Sequence, residues 1–192
     1  MLPSETQLSH DILVNSYNIS NYNVHSRFRF KGGVCVDSNI NTAAVHLVDL
    51  DSPNLDVIWL NISLLPITIF LCLTYCSPNS ANFVAFFDNL NSCHEAMTSE
   101  HPQAKFLDLG DFNVHYKEWL KSSHMDVREV EALTFSILTD LEQIITHPPH
   151  IPDRLDHTTN TLDLFFTSNP LHYNYTISPP IGSSDHNRVK IT

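Results

Sequence analysis

The chain is short of positive charge and of glycine. Of its 192 residues only 10 are Lys or Arg, against 21 Asp or Glu, for a formal net charge of −11. That deficit argues against a protein held to nucleic acid by a broad basic face. It leaves a nuclease open, because divalent cations offset acidity inside a cleft. None of the four cysteines (Cys35, Cys72, Cys76, Cys93) forms a CxxC pair, and no secretory signal is read at the start. Free, mostly buried thiols in a reducing compartment are expected, and the three sequons, at Asn18, Asn61 and Asn174, are read as chance. The 12 histidines are scattered, as on a polar surface rather than in a zinc cage. No repeat, low-complexity tract or linker is present. The expectation is one domain over residues 1–192, neither secreted nor membrane-bound but nuclear or cytoplasmic.

What is present is a hydrophobic content of 42% with a long uncharged run, "VIWLNISLLPITIFLCLTYC" (57–76). Its length would span a bilayer. Asn61, Ser63 and Pro66 interrupt it, and β-branched residues enrich it. The better reading is two buried strands, 57–63 and 67–75, joined by a turn at Leu64–Pro66. Residues 20–30 alternate loosely. "GGVCVD" (32–37) reads as a turn into a strand, and 45–50 as another strand. Phe83, Phe86, Phe87 and Leu90 share one face of a helix over 81–100. "KFLDLG" (105–110) reads as a buried strand stopped by glycine, and 126–145 as a second helix with Asp126 as N-cap. "NTLDLFFTS" (160–168) is a strand, and a Pro- and Ser-rich loop holding "GSSDHN" closes the chain. Strand pairs alternating with helices give a mixed sheet, or two sheets, with helices outside.

Polar residues cluster at the ends of these strands, where functional groups commonly sit. Asp111 and Asn113 of "GDFN" would project into one cleft if strand spacing holds. Carboxylates bind hard cations or orient water, and a carboxamide can hold a phosphate oxygen. The same two residues also favour turns. Asp163 stands in an apolar run, where a charge calls for a defined partner such as histidine. Glu5, Tyr75, Asn79 and the pair Asp185–His186 say little individually.

Together and in order, "SET", "RFKGG", "TYCSPN", "GDFN", "LDLFFTS" and "SSDH" resemble the endonuclease/exonuclease/phosphatase (DNase I-like) superfamily. "GDFNVHYKEWL", "HPPHIPDR", "NTLDLFFTSNP" and "PIGSSDHN" are most similar to the endonuclease domain of Jockey-type non-LTR retrotransposons. The resemblance implies a four-layer α/β sandwich, two mixed β-sheets flanked by helices. It implies Mg²⁺-dependent hydrolysis of a DNA phosphodiester, with Mn²⁺ as the substitute ion, in a monomeric domain originally fused to a reverse transcriptase. Carried over by motif, Glu5 and Asp185 become metal ligands, and Asp111 orients or deprotonates water. Asn113 holds a phosphate oxygen and Tyr75 contacts the phosphate. His186 moves a proton or binds the scissile phosphate, with Asp163 fixing its tautomer. Arg27, Arg29 and Asn79 are candidate substrate contacts. With Lys31, Lys117 and Lys121, the arginines would give weak, salt-sensitive DNA binding, or else form a solvated face. The family opens with an apolar strand carrying an asparagine and then a helix, whereas only Met1–Ser4 precede Glu5 here. The expected domain is therefore N-terminally truncated, lacking that strand and helix. An inactive remnant acting as a binding module is the competing expectation, and a phosphoinositide-type phosphatase of the same superfamily is a third.

Overall fold

The computed structural model describes residues 19–29, 32–80, 82–114, 127–145, 163–180 and 186–192. In chain order the strands begin with β1 (Tyr22–Arg29), β2 (Gly32–Asn39) and β3 (Ala44–His46). The uncharged run forms β4 (Asp56–Leu64) and β5 (Ile67–Tyr75), then come α1 (Phe83–Glu100) and β6 (Lys105–Asp111). α2 (Val127–Thr139), β7 (Glu142–Gln143), β8 (Asp163–Thr167), β9 (Tyr175–Ser178) and β10 (Arg188–Ile191) complete the described elements.

Six strands form a mixed sheet in the order β3-β4-β5-β6-β8-β7, with only β5 and β6 parallel and α1 as their crossover. The run that is long enough for a bilayer is thus an antiparallel hairpin, turning at Leu65–Pro66. No described helix is long and apolar enough to cross a membrane.

Both faces of this sheet are covered, which explains why β4 and β5 are apolar almost throughout. Val57, Trp59, Phe70, Cys72, Phe106, Leu164 and Phe166 face the helices, meeting Phe83, Phe86, Phe87, Leu90 and Met97 of α1 and Ala132 and Phe135 of α2. Their period-two partners Ile58, Leu60, Leu71, Leu73 and Tyr75 face the other way, onto Val34 and Val36 of the β1–β2 hairpin. Helices, a six-stranded sheet and a second sheet are thus stacked, as expected for the sandwich. A helical layer outside the second sheet is not among the described residues.

Four local expectations change. The second helix stops at Thr139, where Asp140 takes φ +54°, and the chain turns into edge strand β7 instead of continuing to 145. Its proposed cap, Asp126, lies outside the described residues. The strand read over 45–50 is only Ala44–His46, followed by a 3-10 turn at Val48–Leu50. The closing loop contains a hairpin, β9–β10, extended by reciprocal backbone hydrogen bonds between Asn174 and Thr192. Finally, His94 is not a surface residue. It is buried on α1 against Asp108 of β6 at 2.7 Å, beneath Trp59, Phe106 and Phe135. Breaking such a buried pair leaves one polar partner stranded, which costs about 3–5 kcal/mol if the survivor is charged.

All four cysteines are buried and free. Burial raises the Cys35 thiol to about 11 and that of Cys76 to about 12, and it raises Cys72 and Cys93 as well. His25 moves the other way: burial, then neighbouring His46, lower its pKa, against an opposing pull from Asp37. Above pH 9, the ordinary thiol value, the unfolded chain releases protons that the folded one keeps, so stability falls as pH rises. Below pH 6.5, the ordinary His25 value, the unfolded chain binds the proton more readily, so stability falls as pH drops. Urea midpoints across pH are expected to peak between these limits and to decline on both sides. A flat alkaline arm would show that the thiols are accessible.

Candidate active site

Strand register builds the site. On the face opposite the helices, Tyr75 of β5 pairs with Asp111 of β6, and Asp111 pairs with Asp163 of β8. Directly opposed residues share a face, so the three side chains stand in a row across the sheet. Asp56 of β4, opposite Tyr75, extends the row by one strand. Tyr75 and Asp111 are buried, and Asp163 is partly so.

Gly110 permits this register. It has φ +143°, and a Cβ there would lie 1.8 Å from the Thr74 carbonyl oxygen. Only glycine allows β6 so close to β5 while Asp111 still turns to the site face.

Beyond Asp111 the strand ends. Asn113 takes φ +50°, and its backbone N–H donates to Asp111 Oδ1 at 2.9 Å. Its side-chain amide donates to the Cys76 carbonyl at 2.8 Å, and the Cys76 N–H donates to the Asp111 carbonyl at 2.8 Å. Asp111 and Asn113 therefore do not project together from one strand face. They form an Asx turn latched to the residue after Tyr75, because Asn tolerates the left-handed region and its side chain closes the loop. One amide N–H of Asn113 is spent on Cys76. A carboxamide carries two, so the second remains to meet an anion.

Asp163 has the histidine partner that its place in an apolar run calls for. His186 Nδ1 lies 2.8 Å from Asp163 Oδ2, with both side chains about a fifth exposed. A proton on Nδ1, donated to the carboxylate, would fix the tautomer of the imidazole.

Of the other candidates, Asn79 is exposed in the turn after β5. Arg27 pairs with Asp51 at 3.2 Å and donates to the Ser52 carbonyl, so its guanidinium ties β1 to the loop after β3. Arg29 lies in β1, but its side chain, like Glu5, Lys31, Lys117, Lys121 and Asp185, lies outside the described residues. Asp56 and Arg128 were missed by sequence reasoning. Asp56 opens β4 and belongs to no motif, so only register brings it to the row.

The sequence pattern described as endonuclease-reverse transcriptase matches residues 69–190, more than half of the chain. The chain belongs to this family. The match takes in every described residue of the row except Asp56. No curated protein matches the chain. Among solved structures, it is similar to the endonuclease domain of TRAS1, a telomere-specific non-LTR retrotransposon, at 16% identity and TM-score 0.70, covering 90% of this chain and 80% of that one. It is also similar to the AP endonuclease LMAP of Leishmania major, at 14% identity and TM-score 0.76, covering 99% and 76%. A third is the 3'-5' exonuclease NExo of Neisseria meningitidis, at 17% identity and TM-score 0.68, covering 100% and 87%. At these identities the structures establish the shared fold, the DNase I-like α/β sandwich.

Gly110→Ala should destabilise the domain by at least about 2 kcal/mol, since it combines a strained φ with a backbone clash. Urea unfolding measures this directly. An unchanged midpoint would mean that β6 can draw back from β5 without cost.

Proposed function

We propose that this chain is a DNA endonuclease domain that hydrolyses a phosphodiester, nicking target DNA for a retrotransposon. The carrying observation is the row Tyr75–Asp111–Asp163 with His186 seated on Asp163. It gathers a base, a proton carrier and phosphate contacts from four distant parts of the chain. The family match supports the nuclease reading, and the TRAS1 domain, described as part of a non-LTR retrotransposon, supports the biological setting.

Water adds to phosphorus, one P–O ester bond breaks, and the departing oxygen takes a proton. Asp111, its Oδ1 steadied by the Asn113 amide, accepts the proton of the attacking water. Asn113 and Tyr75 donate to phosphate oxygens as negative charge builds; one preorganised donor contributes roughly 3 kcal/mol. His186, oriented by Asp163, carries the second proton, to the departing oxygen.

The row offers hard oxygen donors, the type Mg²⁺ takes. No three His, Cys, Asp or Glu side chains converge as a metal site among the described residues. Asp163 is turned to His186 and Asp111 to Asn113. By the motif resemblance, Glu5 and Asp185, both outside the described residues, would hold the cation. When bound, it would offset phosphate charge and make water more acidic.

The test is nicking of supercoiled plasmid with Mg²⁺ and with EDTA, using wild type, His186→Ala and Asp163→Asn. Metal-dependent nicking should fall at least about 100-fold in His186→Ala, the usual scale for losing a proton-transfer group. Asp163→Asn should fall less. A folded wild type that nicks nothing would leave the remnant reading, a binding module, in its place.

A further inference from the structure

The acidic row meets a substrate that is itself a polyanion, on a chain with net charge −11, so some fixed positive charge must receive the DNA strand. Basic side chains in the described regions are few. Arg27 is held on Asp51, Lys105 starts β6 at the end away from Asp111, and Arg188 and Lys190 are exposed on β10. Arg128 is different. It stands in the first turn of α2, with its guanidinium 4.7 Å above the Phe83 ring, and it donates to the Pro78 carbonyl. Pro78 and Asn79 form the turn that follows Tyr75 and Cys76, at the strand ends where the Asn113 latch closes. Arg128 is also close enough to Cys76 to work against the burial that raises that thiol, while Asp111 and Asp56 reinforce the rise. Through Pro78 the guanidinium is tied to the turn two residues beyond Cys76, whose carbonyl holds Asn113.

We propose that Arg128 is a phosphate contact of this site, gripping the DNA backbone beside the scissile bond. The proposal rests on the DNA reading above. An arginine clamped between a ring face and a carbonyl has already lost its rotamer freedom, so binding an anion orders little more. Its planar fork has five N–H donors, more than one carbonyl uses, so it can hold Pro78 and still meet a phosphate. The alternative is a structural staple that joins α2 to the Pro78 turn and touches no DNA.

Salt dependence separates the two. A short labelled duplex is titrated by fluorescence anisotropy at several NaCl concentrations with wild type, Arg128→Gln and Arg128→Lys, and thermal melting is recorded in parallel. If Arg128 meets a phosphate, Arg128→Gln binds about tenfold more weakly at low salt, and its log–log salt slope falls by about 0.9. Arg128→Lys keeps the slope and loses only part of the affinity. A staple would lower the melting temperature of Arg128→Gln but leave affinity and slope unchanged, which would overturn the proposal. A wild type that does not bind the duplex would overturn it too. A wild type that binds with the expected slope change but nicks no plasmid would sink the catalytic reading and leave this contact standing.

Discussion

The site depends on how closely β6 lies against β5. Among the described strands these are the only parallel neighbours, and their register places Asp111 beside Tyr75. The approach occurs where Gly110 passes the Thr74 carbonyl with no room for a side chain. Once the two strands are set, β8 adds Asp163 by antiparallel pairing, and Asp163 in turn seats His186. Parallel strands need a long crossover, and α1 supplies it with a continuous apolar face. The packing of α1 and the placement of the candidate base are thus one constraint seen from two sides of the sheet.

Much of this was legible in the residues. Period-two and period-3.6 patterns located β4, β5, β6, α1 and the start of α2, because each buries enough apolar surface for burial to dominate. The motif order led to the family and picked out Tyr75, Asp111 and Asp163, which register brings into one row, but not Asp56. What was not legible depends on pairing across the chain. Edge strand β7 is two residues long, and nothing local distinguishes it from the helix it follows. β9 and β10 are four residues each and only partly buried, so their pattern is weak. Asn113 was expected on a strand face because two-residue spacing is the local rule; its left-handed φ and its bond to Cys76 arise from a neighbour 37 positions away.

The buried His94–Asp108 pair shows the same limit in the core. Asp108 lies three residues before Asp111 on the same strand but points to the opposite face, toward the helices. In sequence the two aspartates look alike, a charge alternating with apolar residues. Strand parity alone sends one into the helix-facing core and the other to the opposite face, in line with Tyr75 and Asp163. A one-residue slip of β6 would exchange their surroundings, so the polar pair under α1 also opposes misregistration.

His186 reaches the site from the segment between β9 and β10. The β9–β10 hairpin is a separate two-stranded unit, outside the six-stranded sheet that carries Asp111 and Asp163. Small paired units with little buried surface open locally before a core does. His186 thus neighbours a small paired unit, while its partner Asp163 belongs to the six-stranded sheet. As temperature rises, the 2.8 Å contact between His186 and Asp163 is expected to part while the sheet and helices remain folded.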